Sequence, residues 1–249
     1  MSTTIARAPE RSDGHIAHRS RALETVLLSC GIAYAVLYPF ANDVIAAARY
    51  PGYSRMSQAV SELSAIGAPT RWFLAATAPV FAALMVAFGI GVRRADASNR
   101  RLKLAGTLLT ALGAIGLLWL PFPMTGRADM VRGTMAWNDI GHLGMTVVTV
   151  AFFLLILGFA AAALGRRFRI YSIVTGVVVM MFGALTGRYA AALNAGHATP
   201  YMGLFERINI AAWLIWLIVL AVALLRTEPR AEVGRGLSPP AIPPGTASG

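Results

Sequence analysis

Long apolar runs separated by short arginine-bearing segments recur along the whole chain. Six of these runs are long enough to cross a bilayer, whose hydrocarbon core of about 30 Å needs roughly 20 apolar residues of helix. The composition agrees, because 57% of the residues are hydrophobic and 13% are charged, against about 25% charged residues in soluble domains. We therefore predict an all-α integral membrane protein, a six-transmembrane-helix bundle with spans at residues 25–46, 72–92, 102–122, 140–164, 170–193 and 208–225.

The distribution of basic residues predicts the orientation of this bundle. With a cytoplasmic N-terminus, 15 of the 22 Lys and Arg residues lie on the cytoplasmic side and 7 lie in the outer loops. Cytoplasmic loops of membrane proteins carry this excess of positive charge. We expect both termini in the cytoplasm, with residues 1–21 and 227–249 disordered on either side of a transmembrane domain at 22–226, because the tail is rich in Pro, Gly, Ser and Ala.

Charge and cysteine content restrict the partners. The net charge of +11 would suggest nucleic acid in a soluble protein, but these arginines flank apolar spans, so membrane lipids are the expected partners and nucleic acid is not. A homo-oligomer or another membrane protein is a further partner that we consider. The single cysteine, Cys30, lies in the first span and excludes a disulfide framework within the chain. One lysine among so many arginines points to a GC-rich bacterial genome, and hence to the bacterial cytoplasmic (inner) membrane.

The first outer loop contains a helical pattern. An apolar stripe at i, i+3, i+4 and i+7 predicts a short amphipathic helix at the membrane interface, with Ser54 as its N-cap and Gly67 as its stop. Ser61 and Glu62 lie on other faces of this helix. The segment is either a packed re-entry loop with a solvated face or a lid over an outward-facing pocket. The stripe comprises Met56, Ala59, Val60 and Leu63.

Polar residues also mark the outer end of the first span. Pro39 removes one backbone hydrogen bond and should bend the helix, freeing the carbonyl of Ala35. Asn42 and Asp43 follow within one turn. A carboxylate at this depth requires a partner or water, so the pair is either a hydrated helix end or a contact for a ligand, proton or cation.

The entry to the fourth span carries the strongest candidates for catalysis, Asp139 and His142. Asn138, Asp139 and His142 fall at i, i+3 and i+4 spacings and share one helix face. A carboxylate beside an imidazole suits a metal ligand or general base, but it also suits simple helix capping. Metal sites normally use three or four ligands. We therefore predict no metal or other cofactor, with zinc as the alternative.

The last outer loop contributes Arg188, Glu206 and Arg207. Arg188 could pair with Asp43, Asp139 or Glu206, since all lie at similar depth. Glu206 in a first helical turn is favoured by the helix dipole, whereas Arg207 opposes the dipole and is expected to have a partner.

Three segments resemble a known family. The first loop reads Tyr50-Pro-Gly-Tyr53-Ser, then Ala59-Val-Ser-Glu-Leu-Ser64 and Gly67, and it is similar to the bacterial membrane family known as domain of unknown function 998. The Asp139–His142 segment and the run Gly203-Leu-Phe-Glu-Arg207 before a Trp-containing last span look similar too. The resemblance implies a six-helix integral membrane protein, and it implies no catalytic residues.

Three functions follow as hypotheses. The first is a non-enzymatic protein that binds a lipid or small solute in an outward-facing polar pocket. The second is a membrane-embedded lipid hydrolase, in one version metal-dependent through His142. The third is a structural or assembly subunit of a membrane complex. The first hypothesis predicts that the polar residues converge on one site, namely Asn42, Asp43, Ser61, Glu62, Asp139, His142, Arg188, Glu206 and Arg207.

Overall fold

The computed structural model describes residues 11–130 and 136–227 of the chain, with side chains from residue 20 onward. Within these ranges the regular structure is entirely helical. Six helices are long and apolar enough to cross a membrane, which confirms the predicted architecture of a multi-pass protein. Their α-helical parts are α1 (Arg11–Pro39), α2 (Arg71–Ala95), α3 (Arg100–Ile115), α4 (Trp137–Ala163), α5 (Arg166–Asn194) and α6 (Met202–Leu225), and a 3-10 helix, Gly116–Trp119, completes the third span after α3.

The six helices form a closed ring in chain order. Each packs antiparallel against the next, and α6 returns to pack on α1. The ring has two distinct ends. We call the connections at residues 50–70, 120–130 and 195–201 the loop end, and the short turns at residues 96–99 and 164–165 the turn end.

Close approach of α2 and α3 depends on glycines. A methyl group at Gly106 would lie 2.6 Å from the carbonyl oxygen of Gly89, and one at Gly113 would lie 2.9 Å from the backbone nitrogen of Val86. Because Gly106 and Gly113 carry no side chain, the backbones of α2 and α3 approach closely at these two positions. Gly116 faces open space, as does Gly187 on α5.

The interior of the ring is filled by large apolar side chains. Trp213 stacks on Phe153 with ring centroids 3.9 Å apart. The indole nitrogen of Trp216 donates to the hydroxyl of Ser172 at 2.9 Å, which satisfies the one polar atom of this buried ring. The fully buried side chains from α1, α2, α3, α4 and α6 include Leu28, Phe88, Leu109, Ile156, Trp216 and Leu217.

The regular α-helix of α1 ends at Pro39, whose missing N–H removes one backbone hydrogen bond. A π-helical segment, Phe40–Ala46, follows it, and one further α-helical turn, Ala47–Arg49, completes the span. The Asn42 side chain donates to the carbonyl of Tyr38 at 2.9 Å. Because π-helical segments widen the helix locally and occur often at functional sites, this stretch positions Asn42 and Asp43 differently from a regular helix.

The loop at residues 50–70 differs from its prediction. The expected amphipathic helix is replaced by a turn at residues 55–57 and a 3-10 helix, Val60–Ser64. Val60 and Leu63 are buried, whereas Met56 is 49% exposed. Gly67 has φ +81°, in the left-handed region that favours glycine.

The ends of the chain bear on the predicted disorder. α1 begins at Arg11, so residues 11–21, predicted as part of a disordered end, have helical backbone. Residues 1–10 and 228–249, where the rest of that prediction falls, lie outside the described residues.

Candidate functional site

A buried ion pair joins the three connections of the loop end. The Glu62 carboxylate is 2% exposed, and Arg127 binds it with two donors, Nε to Oε2 at 2.8 Å and Nη2 to Oε1 at 2.6 Å. Arg127 also donates from Nη1 to the Thr199 hydroxyl at 2.9 Å and from Nη2 to the Ser57 carbonyl at 3.0 Å. One guanidinium therefore fixes all three connections to one another.

The Glu62 carboxylate also accepts hydrogen bonds from residues of its own loop. Its Oε1 accepts from the backbone N–H of Ala59 at 2.9 Å, and its Oε2 accepts from the Gln58 side chain at 3.2 Å. Sequence reasoning named Glu62 but not Arg127. The available signal is that a carboxylate in a buried loop requires a cation, and the loop after the third span offers two arginines, Arg127 and Arg132.

A second ion pair connects the π-helical segment to the start of α6. Arg207 Nε lies 2.7 Å from Asp43 Oδ1. The prediction that Arg207 has a partner is therefore confirmed, and among Asp43, Asp139 and Glu206 the partner is Asp43. Arg55 donates to the backbone carbonyl of Asp43 at 3.1 Å through Nε.

Arg207 also holds the first loop in place. Its Nη1 donates to the carbonyls of Arg55 at 2.8 Å and Gln58 at 3.2 Å, and its Nη2 donates to the Tyr53 hydroxyl at 2.8 Å. Tyr53 in turn donates to the Ala59 carbonyl at 2.7 Å. Burial raises the pKa of Tyr53 to about 12, against the opposing effect of Arg207, so this hydroxyl remains protonated at neutral pH.

Glu206 supports the same loop from the neighbouring position of α6. Its carboxylate accepts a hydrogen bond from the backbone N–H of Val60, the first residue of the 3-10 helix. The approach of the loop to α6 requires Gly203, because a Cβ there would lie 2.1 Å from the carbonyl oxygen of Gln58. The first loop is thus bound to α6 by side chains and by direct backbone contact.

Asp139 and His142 lie in a separate cluster. Asp139 is buried and accepts from the backbone N–H of Thr125 at 2.7 Å, from its hydroxyl at 2.6 Å, and from the backbone N–H of Ala136 at 3.0 Å. The carboxylate therefore caps the start of α4 and holds the preceding loop against it.

The His142 side chain faces the end of α3. Its Nδ1 lies 3.0 Å from the carbonyl oxygen of Phe122 and donates to it, because a carbonyl only accepts. Its ring meets the edge of Trp119 with centroids 4.7 Å apart. Within the described residues no hydrogen bond joins His142 to Asp139, and no three His, Cys, Asp or Glu side chains are placed to share a metal ion. A zinc-dependent hydrolase and an assembly subunit stay predictions from the sequence.

The predicted site residues thus divide into three groups. The polar network of the π-helical segment, the first loop and α6 brings together Asp43, Ser61, Glu62, Glu206 and Arg207, whereas the Asn42 side chain bonds within its own helix to the carbonyl of Tyr38. Asp139 and His142 belong to the α3–α4 side. Arg188 is exposed on α5 and makes no ion pair with any residue that the structure describes.

A groove between α1 and α6 adjoins the Asp43–Arg207 pair. Its volume is about 240 Å³, and it opens on the outside of the bundle, where Ile215 is 55% exposed. Tyr38 lines the groove, and its hydroxyl has no hydrogen-bond partner among the described residues. The walls are otherwise largely apolar, and the lining comprises Ala35, Tyr38, Pro39, Asp43, Val60, Arg207, Ile210, Ala211, Leu214, Ile215 and Ile218.

Comparison with known proteins gives one match. The family model described as "Protein of unknown function (DUF998)" matches residues 32–223, which run from α1 to the last turn of α6. No curated protein matches the chain, and no solved structure does either. The matched region includes both ion pairs of the loop end and the groove beside them, and since it spans most of the chain, this protein belongs to the DUF998 family.

Proposed function

We propose that this protein binds a membrane lipid in the groove between α1 and α6. The headgroup lies at the Asp43–Arg207 pair, and an acyl chain follows the apolar wall of α6. The observation that carries the proposal is the meeting, in one laterally open groove, of an ion pair, a tyrosine hydroxyl without a partner and largely apolar walls. Binding sites for small amphiphilic molecules combine these features.

The dimensions of the groove suit one acyl chain. From Arg207 to Ile218 the wall of α6 extends over 11 residues, which is about 16 Å at 1.5 Å per residue. The volume of about 240 Å³ suits a segment of one acyl chain rather than a whole two-chain lipid. One chain segment fills this space, and a second chain would lie outside it, among the bulk lipids.

The charges at the polar end favour a zwitterionic headgroup. Asp43 and Arg207 carry opposite charges, and their side chains retain 29% and 16% of their exposure, respectively. A headgroup with an ammonium and a phosphate can address both partners, since the carboxylate accepts from the ammonium and the guanidinium donates to the phosphate. Phosphatidylethanolamine is a lipid of this class.

The proposed orientation places this groove at the outer leaflet. The loop end carries fewer basic residues than the turn end, and the excess of positive charge is retained in the cytoplasm. Half-exposed or exposed aromatic residues at the loop end, Trp72, Trp137 and Tyr201, support a position at headgroup depth. In the bacterial inner membrane, the bound headgroup would lie on the periplasmic side.

A groove-filling substitution tests this function. Ala211 lies on the exposed wall of the groove, so Ala211→Trp should occupy the space of the acyl chain without entering the core. Ala184→Trp, at an exposed site on α5, serves as the matched control. The measurements are the phosphatidylethanolamine that co-purifies in detergent, by mass spectrometry, and the binding of a fluorescent phosphatidylethanolamine to the purified protein.

We expect wild type and Ala184→Trp to retain the lipid at similar stoichiometry and Ala211→Trp to lose it. Equal retention by Ala211→Trp would contradict the proposal, provided that both variants unfold at the temperature of the wild type. Absence of retained lipid and of probe binding in the wild type would contradict it as well.

A further inference from the structure

The two short turns of the turn end form a single surface. Arg101, in the first turn of α3, donates from Nη1 to the carbonyl of Ala162 at 3.0 Å, near the end of α4. Asn99 donates to the carbonyl of Ala163 at 3.4 Å, and Arg169 of α5 donates to the carbonyl of Ala161 at 3.3 Å. The last turn of α4 thus receives donors from both sides, which holds residues 93–103 and 166–169 against one another. We call these two segments the basic face.

The basic face has a large excess of positive charge. Its two segments contain eight cations and one carboxylate, Asp96. The Asp96 Oδ1 accepts from the backbone N–H and hydroxyl of Ser98 and from the backbone N–H of Asn99, so it orders its own turn. All eight cationic side chains are exposed: Arg93, Arg94, Arg100, Arg101, Lys103, Arg166, Arg167 and Arg169.

We propose that the basic face is a binding surface for anionic phospholipid headgroups, and that it selects phosphatidylglycerol-type lipids over zwitterionic ones. The face lies where α2 to α5 leave the apolar layer, which is the depth of lipid phosphates. Guanidinium groups bind phosphate oxygens with two parallel donors. Basic residues beside transmembrane helices attract anionic lipids in proportion to their number. The proposal rests on the two turns and is independent of the groove at the loop end.

Three arginines of the basic face can be changed without loss of a described hydrogen bond. They are Arg100, Arg166 and Arg167, all exposed, and the test variant replaces each with Gln. The control variant replaces three arginines at or near the loop end, each also with Gln: Arg49, Arg71 and Arg188. These three arginines make no ion pair with any residue that the structure describes. Both variants lose the same formal charge. Binding is measured by native mass spectrometry of the full chain in detergent, titrated with phosphatidylglycerol or with phosphatidylcholine.

We expect wild type and control to bind phosphatidylglycerol in preference to phosphatidylcholine. The test variant should lose most of that preference, since each arginine near the surface contributes roughly fivefold in affinity. The preference of the wild type should also weaken between 50 and 500 mM salt because salt screens exposed charges. An equal loss in both variants, or a preference unchanged in the test variant, would overturn the proposal. If the test variant cannot be purified, the wild type alone tests the proposal: a preference for phosphatidylglycerol that does not change with salt would overturn it.

Discussion

The two ends of the helix bundle use arginine in opposite ways. At the loop end, Arg127 and Arg207 each meet a carboxylate, and Arg127 also donates to the carbonyl of Ser57, whereas Arg207 donates to several backbone carbonyls. At the turn end, the arginines of the basic face outnumber the acids and remain exposed. These two arginines of the loop end are consequently paired and bonded inside the protein, whereas the arginines of the basic face present their charge to the surroundings. An arginine with a carboxylate partner inside the protein stabilises the fold, as Arg127 and Arg207 do. An exposed arginine without such a partner is free to contact a molecule outside the protein.

The largest change in stability is expected when the Arg127 guanidinium is removed. Arg127→Ala leaves the Glu62 carboxylate buried without its cation, which should lower the free energy of unfolding by about 3–5 kcal/mol. Arg188→Ala removes an exposed arginine and should change it by no more than about 0.5 kcal/mol. Thermal unfolding of the purified proteins in detergent measures both. Similar values for the two variants would mean that the loop end does not depend on its internal ion pair.

The same comparison can be sharpened with a paired substitution. Changing Glu62 to Gln in the Arg127→Ala background removes the uncompensated charge, and part of the lost stability should return. No recovery would show that the hydrogen bonds of Arg127 to Ser57 and Thr199, rather than its charge, account for the loss.

A smaller effect is expected from Gly203→Ala. The new methyl group would lie 2.1 Å from the carbonyl oxygen of Gln58 and 2.5 Å from that of Arg55, so the first loop must move away from α6. Overpacking of this kind costs about 1–3 kcal/mol of unfolding free energy. Gly187→Ala, which meets nothing within 4 Å, is the matched control and should be neutral or slightly stabilising. Equal melting temperatures for the two variants would contradict the tight contact.

Tyr38→Phe distinguishes lipid binding in the groove from the stability of the surrounding hydrogen-bond network. The Tyr38 hydroxyl has no hydrogen-bond partner among the described residues, so its removal should leave the melting temperature unchanged. If the hydroxyl contacts the proposed headgroup, affinity for the fluorescent phosphatidylethanolamine should fall by roughly 2- to 10-fold, the equivalent of one hydrogen bond. Unchanged affinity would place the headgroup elsewhere in the groove.

The smallest expected effect is the contribution of Tyr53 to stability at alkaline pH. Burial raises the pKa of Tyr53 in the folded protein to about 12, above the ordinary value of 10. The neutral form is therefore favoured by the fold, and its contribution to stability is present below about pH 10 and is lost as pH rises through about 12. Tyr53→Phe should show a shallower fall in melting temperature between pH 9 and pH 12 than wild type. Tyr201→Phe, at a half-exposed site, serves as control and should follow the wild type.

The fold followed from the sequence because its determinants are local. The six apolar lengths each act within one segment of the chain, and each produced a helix long enough to cross a membrane. The existence of a partner for Arg207 also followed from the sequence, although the first-turn position assumed for Glu206 and Arg207 was wrong, because α6 begins earlier, at Met202.

The loop end required information that no local pattern contains. Arg127 and Glu62 are separated by 65 residues and Asp43 and Arg207 by 164, so their pairing depends on how the ring of helices closes. The helical pattern of the first loop was overridden for the same reason. Its backbone is bonded to Glu206, Arg207 and Arg127 of other segments, which hold a turn and a 3-10 helix in place.

These separations along the chain also set an order of events during synthesis. The carboxylate of Asp43 meets its guanidinium only when Arg207 has emerged, 164 residues later, which takes roughly 8–30 s at translation rates of about 5–20 residues per second. Glu62 can pair sooner, because Arg127 follows it by only 65 residues. The first loop therefore reaches the membrane surface early and acquires its final shape late, after α6 has entered the bilayer. Until Arg127 emerges, the nascent chain carries both carboxylates without their guanidinium partners, and from then until Arg207 emerges Asp43 still lacks its own.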